Sequence, residues 1–174
     1  MPTGEEERNV RWLDLRLAET LCHSLAGALS QDRNEPMPAF RSADLGRLEA
    51  CLKAPQQAFG DFEPFPGLEE KAAALLYYLV KGHPFPNGNK RFATAAYLVF
   101  LALNGWWPTV AKADLIALVE SVAASEAREH RTQIERVAAF TRERVVRVEE
   151  VIARFKESEA RQSLHEPPQE EASP

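Results

Sequence analysis

The chain has 174 residues, 45% of them apolar, and a net charge of −5, which suits one ordinary domain with a real core and excludes global disorder. The acidic balance argues against broad binding to nucleic acid or membranes, and no stretch is long and apolar enough to span a bilayer. Cys22 and Cys51, each in an apolar, helix-like stretch, are too few for a secreted disulfide scaffold and read as reduced core thiols of a cytoplasmic protein. The start, MPTGEEERNVRW, is acidic and polar, unlike a secretory signal.

In chain order, Arg11 to Ser30 reads as a first helix, with Leu13, Leu15, Leu17, Leu21, Leu25 and Leu29 mostly on one face. Ser42 to Asp44 starts a second, with Leu45, Leu48 and Leu52 as its stripe. Ala54 to Gly67 holds three prolines and two glycines, which forbid a helix. Aromatic residues flank Gly60-Asp61 there, so a small hairpin or flap is expected. Leu68 to Lys81 is a strong helix with glutamates near its start and a lysine at its end. Asn89 to Asn104 is apolar or small after its first turn and should be a central, buried helix, capped by Gly105. WWPTV reads as a turn, and two more helices are expected at about Lys112 to Ala124 and Thr132 to Glu157. In the second of these, Ile134, Val137, Val145, Val148, Ile152 and Phe155 form the apolar stripe, with dimerisation as an alternative use of its last turns. The sum is an all-α helical bundle, a single domain over residues 1–157, and a polar, Pro-rich tail over 158–174 expected to be disordered.

Between the two strongest helices lies HPFPNGNKR, from His83 to Arg91. A helix N-terminus offers backbone N–H groups and partial positive charge, and anions bind there. Gly88 allows positive φ and close backbone approach. Asn89 tolerates left-handed or capping geometry, and together the two can form a nest of amides. Lys90 and Arg91 add charges suited to phosphate. Pro84 and Pro86 stiffen the lead-in, and Phe85 should anchor the loop in the core. Histidine titrates near neutral pH, which suits His83 to general-base work. On these local features alone, an ordinary turn and helix cap remains the alternative.

The order and spacing of these residues resemble the signature of the Fic/Doc (Fido) family, H-x-F-x-[DE]-G-N-[GK]-R, at His83, Phe85, Gly88, Asn89, Lys90 and Arg91. The flanking segments DLGRLEACLKAPQQAFG, LEEKAAALLYYLVKGHPF and FLALNGWW are also similar to that family, so that about residues 11–139 are covered. The resemblance implies a Fido-type bundle whose β-hairpin flap precedes the motif helix pair. It implies transfer of part of a nucleoside triphosphate, such as ATP, to a Ser, Thr or Tyr hydroxyl of a target protein. His83 would be the base, and Gly88, Asn89, Lys90 and Arg91 would hold phosphates. Phe85 would fix the loop, and the flap at Pro55, Gln56 and Gln57 would hold the target by strand addition.

Three positions depart from the longer Fic pattern. The acidic, Mg²⁺-binding position is Asn87, whose amide brings no charge. The second arginine is Thr94, and the Fic glycine is Lys90. Lys90 and Thr94 point to the Doc branch, and hence to phosphate transfer by a toxin with a separate antitoxin, with AMP transfer as the alternative. Asn87 favours a weaker enzyme or a Fido module that binds without catalysing. No glutamate is followed by Gly or Asn, so the inhibitory motif of many Fic proteins is absent from the sequence. A DNA-binding regulator finds little support, since Lys90-Arg91 is the one compact basic cluster. The four histidines and two cysteines have no zinc-ligand spacing. His23 reads as surface or helix packing, and one of Trp106 and Trp107 should pack on the bundle while the other is exposed as a partner surface.

Overall fold

The computed structural model describes residues 10–28 and 37–163, and the side chains of all of these up to residue 157. Seven α-helices run through the described residues: α1 (Leu15–Ala28), α2 (Leu45–Lys53), α3 (Leu68–Gly82), α4 (Asn89–Leu103), α5 (Lys112–Ala124), α6 (His130–Arg144) and α7 (Val148–Ser163). Two short strands, β1 (Trp106–Pro108) and β2 (Val145–Arg147), pair antiparallel.

The core is built on α3, which packs against α2, α4, α5 and α6. Its run of Ala72, Ala73, Ala74, Leu75 and Leu76 is buried, because small residues let neighbouring helices approach closely. The expected central helix α4 lies beside it and buries Phe92, Ala96, Tyr97, Phe100 and Leu101. Thr141 gives its hydroxyl proton to the Val137 carbonyl (2.7 Å), so the buried Tyr97 hydroxyl donates to Thr141 Oγ1 (2.8 Å). The two cysteines are free and buried, as the sequence suggests.

Lys71 is an unexpected core residue, 5% exposed. Its ammonium donates to Glu63 Oε1 (2.6 Å) and to the carbonyls of Phe65 (2.6 Å) and Pro66 (2.8 Å). Three protons meet three acceptors, which is what a buried lysine requires. The contact ties the returning limb of the flap to α3. The flap itself turns at Gly60-Asp61, where Phe59 and Phe62 exchange backbone hydrogen bonds of 2.8 and 3.1 Å. Gly60 takes φ +63°, the left-handed geometry that such a tight turn needs.

Several boundaries differ from the sequence reading. The first helix begins at Leu15, and Asp14 accepts from the Leu17 amide at its start (2.8 Å); Leu29 and Ser30 lie outside the described residues. Ser42 belongs to a short 3-10 turn, and Asp44 caps α2 by accepting from the Arg47 amide (3.0 Å). The expected turn at WWPTV is strand β1, with Trp106 opposite Arg147 and Trp107 opposite Val146. The expected single helix from Thr132 to Glu157 is broken at β2. The β-branched pair Val145-Val146 favours extended backbone, and Pro108 and Trp107 of β1 lie opposite it. The predicted stripe therefore divides: Ile134 and Val137 are core, while Ile152 and Phe155 are exposed. Trp106 packs inward with the Arg147 guanidinium 4.2 Å from its ring, and Trp107 faces solvent. No helix among the described residues is long and apolar enough to cross a membrane.

Candidate active site

The segment His83 to Gly88 joins the C-terminus of α3 to the N-terminus of α4. Its side chains divide by role. His83, Pro86, Asn87 and Lys90 are exposed; Pro84, Phe85 and Asn89 are buried. The Phe85 ring packs on Phe92, with centroids 4.8 Å apart. The Pro84 carbonyl accepts from the Asp44 amide (2.8 Å), and the Gly82 carbonyl accepts from Arg47 (3.4 Å). The loop is thus clamped to the start of α2.

Asn89 holds the loop from within. Its Oδ1 accepts from the Phe85 amide (2.9 Å), and its Nδ2 donates to the Phe85 carbonyl (2.8 Å) and lies 3.4 Å from His83 Nδ1. This side chain is a positioning group, and only its backbone amide is left to face an anion. His83 has φ 47° and ψ 55°, the one non-glycine residue with positive φ among those described. Left-handed geometry costs energy to any residue with a Cβ, and the His83 side chain is exposed.

Gly88 has φ +70°, and a Cβ there would come within 3.0 Å of Met37 Sδ and 3.2 Å of Pro38 Cδ. The left-handed backbone favours glycine, and a Cβ would press on both neighbours. The first backbone rung of α4 runs from the Phe92 amide to the Gly88 carbonyl (2.9 Å), so the amides of Asn89, Lys90 and Arg91 precede the ladder. An Arg91 nitrogen lies 3.7 Å from the same Cβ position. Thr94 spends its hydroxyl on the Lys90 carbonyl (2.7 Å) and adds no cation. The Lys90 ammonium meets both oxygens of Glu120, from α5, at 2.8 and 2.9 Å.

Of the expected flap residues, Pro55 is buried in a 3-10 turn and faces the core rather than a target. Gln56 donates back to the Leu52 carbonyl (2.9 Å). Exposed, extended backbone starts at Gln57 and leads to Phe59 and Phe62, which are 64% and 63% exposed. Beneath the flap, the Tyr78 hydroxyl lies 3.0 Å from His130 Nε2, and burial pushes the Tyr78 phenol up. Cys51 donates to the Tyr78 carbonyl (3.2 Å), and burial pushes its thiol up to about 11.

The donor set suits a nucleotide better than a protein-held metal. Among the described residues no three His, Cys, Asp or Glu side chains group together, and the loop's exposed uncharged donors are the His83 imidazole and the Asn87 amide. A hard cation there would be held chiefly by phosphate oxygens. A cleft of about 160 Å³ lined by Leu68, Leu101, Trp106 and Thr141, among others, lies at the other end of the α3–α4 pair and includes no motif residue.

A comparison with protein-family models matches residues 12–101, just over half of the chain, to the Fic/DOC family. The chain belongs to that family. The His83–Arg91 loop lies within the matched residues, with His83, Asn87 and Lys90 exposed and the Asn89 side chain turned inward. A 62-residue stretch is 44% identical to a protein named Toxin Doc from Mycolicibacterium smegmatis (strain ATCC 700084 / mc(2)155). That match covers 36% of this chain and 48% of the relative, about half its length. No solved structure matches the chain at a significant level.

The sequence reading missed four contributors: Met37 and Pro38 behind Gly88, Glu120 on Lys90, and Lys71 behind the flap. A charge inside the apolar run LEEKAAALL was a visible signal for Lys71. The other three leave none, because they reach the loop through space from distant segments.

Proposed function

We propose that this protein is a Doc-like phosphotransferase that moves phosphate from a nucleoside triphosphate to a hydroxyl side chain of a target protein, as the toxin of a toxin–antitoxin pair. The observation that carries this reading is Lys90. It occupies the position after the loop asparagine, at the second residue of α4, where a glycine would leave room for an α-phosphate. A lysine fills that room and favours a nucleotide presented with its γ-phosphate toward the target.

In the proposed reaction the His83 imidazole takes the proton of the target hydroxyl. The hydroxyl oxygen bonds to the γ-phosphorus, the bond to the β,γ-bridging oxygen breaks, and the nucleoside diphosphate leaves with that electron pair. The amides before the first rung of α4, with Lys90 and Arg91, would hold the phosphoryl oxygens. Mg²⁺ brought by the nucleotide, with Asn87 as a neutral ligand, would offset phosphate charge. The extended segment from Gln57 to Phe62 would carry the target chain by strand addition. Such a reaction, with two free thiols, belongs in the cytoplasm.

The test offers ATP labelled at the α- or the γ-phosphate to a bacterial lysate. Label on a target from the γ position alone, with a mass gain of one phosphate, supports the reading. Label retained from the α position returns the protein to the AMP-transferring branch. A second reading, a Fido module that binds nucleotide or partner without catalysis, is favoured by the missing carboxylate at Asn87; label from neither position supports it. The toxin role predicts that expression of this chain alone slows bacterial growth and that a co-expressed antitoxin restores it.

A further inference from the structure

We infer that Glu120 is the counter-ion that sets how tightly this site holds phosphate, by competing with the nucleotide for the Lys90 ammonium. The inference rests on the proposed nucleotide site and adds a residue that no motif contains. Glu120 lies on α5, beyond the family match at residues 12–101.

Side chains on an α-helix lean toward its N-terminus. The Lys90 stem therefore leans toward Gly88 and the amides before the first rung. The group its ammonium meets is the Glu120 carboxylate, through both oxygens at 2.8 and 2.9 Å. An ammonium has three protons, and a carboxylate that takes two leaves one for phosphate. A phosphate oxygen bonded to Lys90 while Glu120 stays in place would lie within about 5.7 Å of a carboxylate oxygen, two charge-assisted bond lengths at most. At that range like charges repel, so the carboxylate offsets much of the attraction that the lysine supplies.

The pair does little for the fold. Its side chains are 51% and 55% exposed, and solvated pairs of this kind are worth little to stability. The carboxylate can therefore be removed without unfolding the chain. Weaker retention of phosphate has a use in turnover, since it speeds release of the nucleoside diphosphate.

The experiment is calorimetric titration of the full chain with Mg²⁺-ATP and, separately, with inorganic pyrophosphate. Glu120→Gln is expected to lower the dissociation constant of each about threefold, and the gain is expected to shrink in high salt. Glu143→Gln removes the same charge at the C-terminal end of α6, where Glu143 pairs with Arg144; its dissociation constants are expected to match wild type. Glu120→Ser is a second neutral replacement should the first fail to fold. Unchanged or weaker binding in a Glu120 variant that melts like wild type overturns the inference: unchanged binding leaves Glu120 without effect, and weaker binding makes it a guide for Lys90. Wild-type protein that binds neither probe overturns the nucleotide site itself, and this inference with it.

Discussion

The side-chain amide of Asn89 lies 3.4 Å from His83 Nδ1 while it closes both backbone hydrogen bonds of Phe85. One buried amide thus holds the loop's anchor and faces its exposed imidazole. Asn89→Ala would leave the Phe85 amide and carbonyl unpaired in a buried setting. A loss of about 1–3 kcal/mol is expected, read as a lower midpoint in thermal unfolding. Transfer activity should fall at least tenfold even at temperatures where the variant is folded. Full activity in a folded Asn89→Ala protein would contradict the positioning role.

His83 gives a prediction in which stability and activity move in opposite directions. General-base catalysis is worth ~10²–10⁴ in rate, so His83→Ala should abolish transfer with an unchanged circular dichroism spectrum. His83→Gly should abolish it too, yet unfold at a higher temperature. The residue sits in the left-handed region at the end of α3, where glycine relieves roughly 1 kcal/mol of backbone cost. Transfer within threefold of wild type in either variant would remove His83 from the reaction.

Asn87 is exposed at the loop's outer edge. Asn87→Asp is expected to lower the Mg²⁺ concentration for half-maximal transfer, because an ionised carboxylate binds a hard dication better than an amide does. The measurement is a Mg²⁺ titration of the transfer rate; an unchanged midpoint means that the position does not face the metal.

Gly82 ends α3 directly against Cys51, and a Cβ added at Gly82 would collide with the Cys51 sulfur. Gly82→Ala is therefore expected to destabilise the fold by roughly 1–3 kcal/mol, the usual cost of overpacking. Cys51→Ala in the same chain removes the colliding atom and should recover part of the loss. Denaturant unfolding of the two single variants and the double variant measures the coupling, and strict additivity would show that the two residues do not touch.

Alkaline pH should weaken the fold through two buried groups, Cys51 and Tyr97. Burial raises the Cys51 thiol from 9.0 to about 11, and burial raises the Tyr97 phenol from 10.0 to about 12. Each group is neutral in the native chain and ionises more easily once unfolded. Their contribution is present in full below the unfolded values and is lost as pH rises through the folded ones. The unfolding midpoint is expected to fall from about pH 9 upward, as thermal melts at stepped pH would record. Cys51 should also resist thiol reagents at pH 8, where its reactive thiolate is scarce.

The sequence alone determined what depends on near neighbours along the chain. The apolar periods of α3 and α4, the flap's turn at Gly60-Asp61, the left-handed glycines Gly88 and Gly105, and the motif with its buried Phe85 are all local patterns. Such patterns are legible because capping, backbone freedom and helical spacing act within a few residues. Tertiary structure alone decided the rest. The helix expected through Val145 breaks where strand β1 (Trp106–Pro108), far back in the chain, offers a partner. Met37 and Pro38 leave little room for a side chain at Gly88, and Lys90 is tied because α5 brings Glu120 within bonding distance. Asn89, readable as a cap, is instead turned inward to the Phe85 backbone and His83. For Val145, Gly88 and Lys90 the deciding partner is distant in sequence, and packing of the bundle around α3 brings the two together, whereas the partners of Asn89 lie within the loop itself.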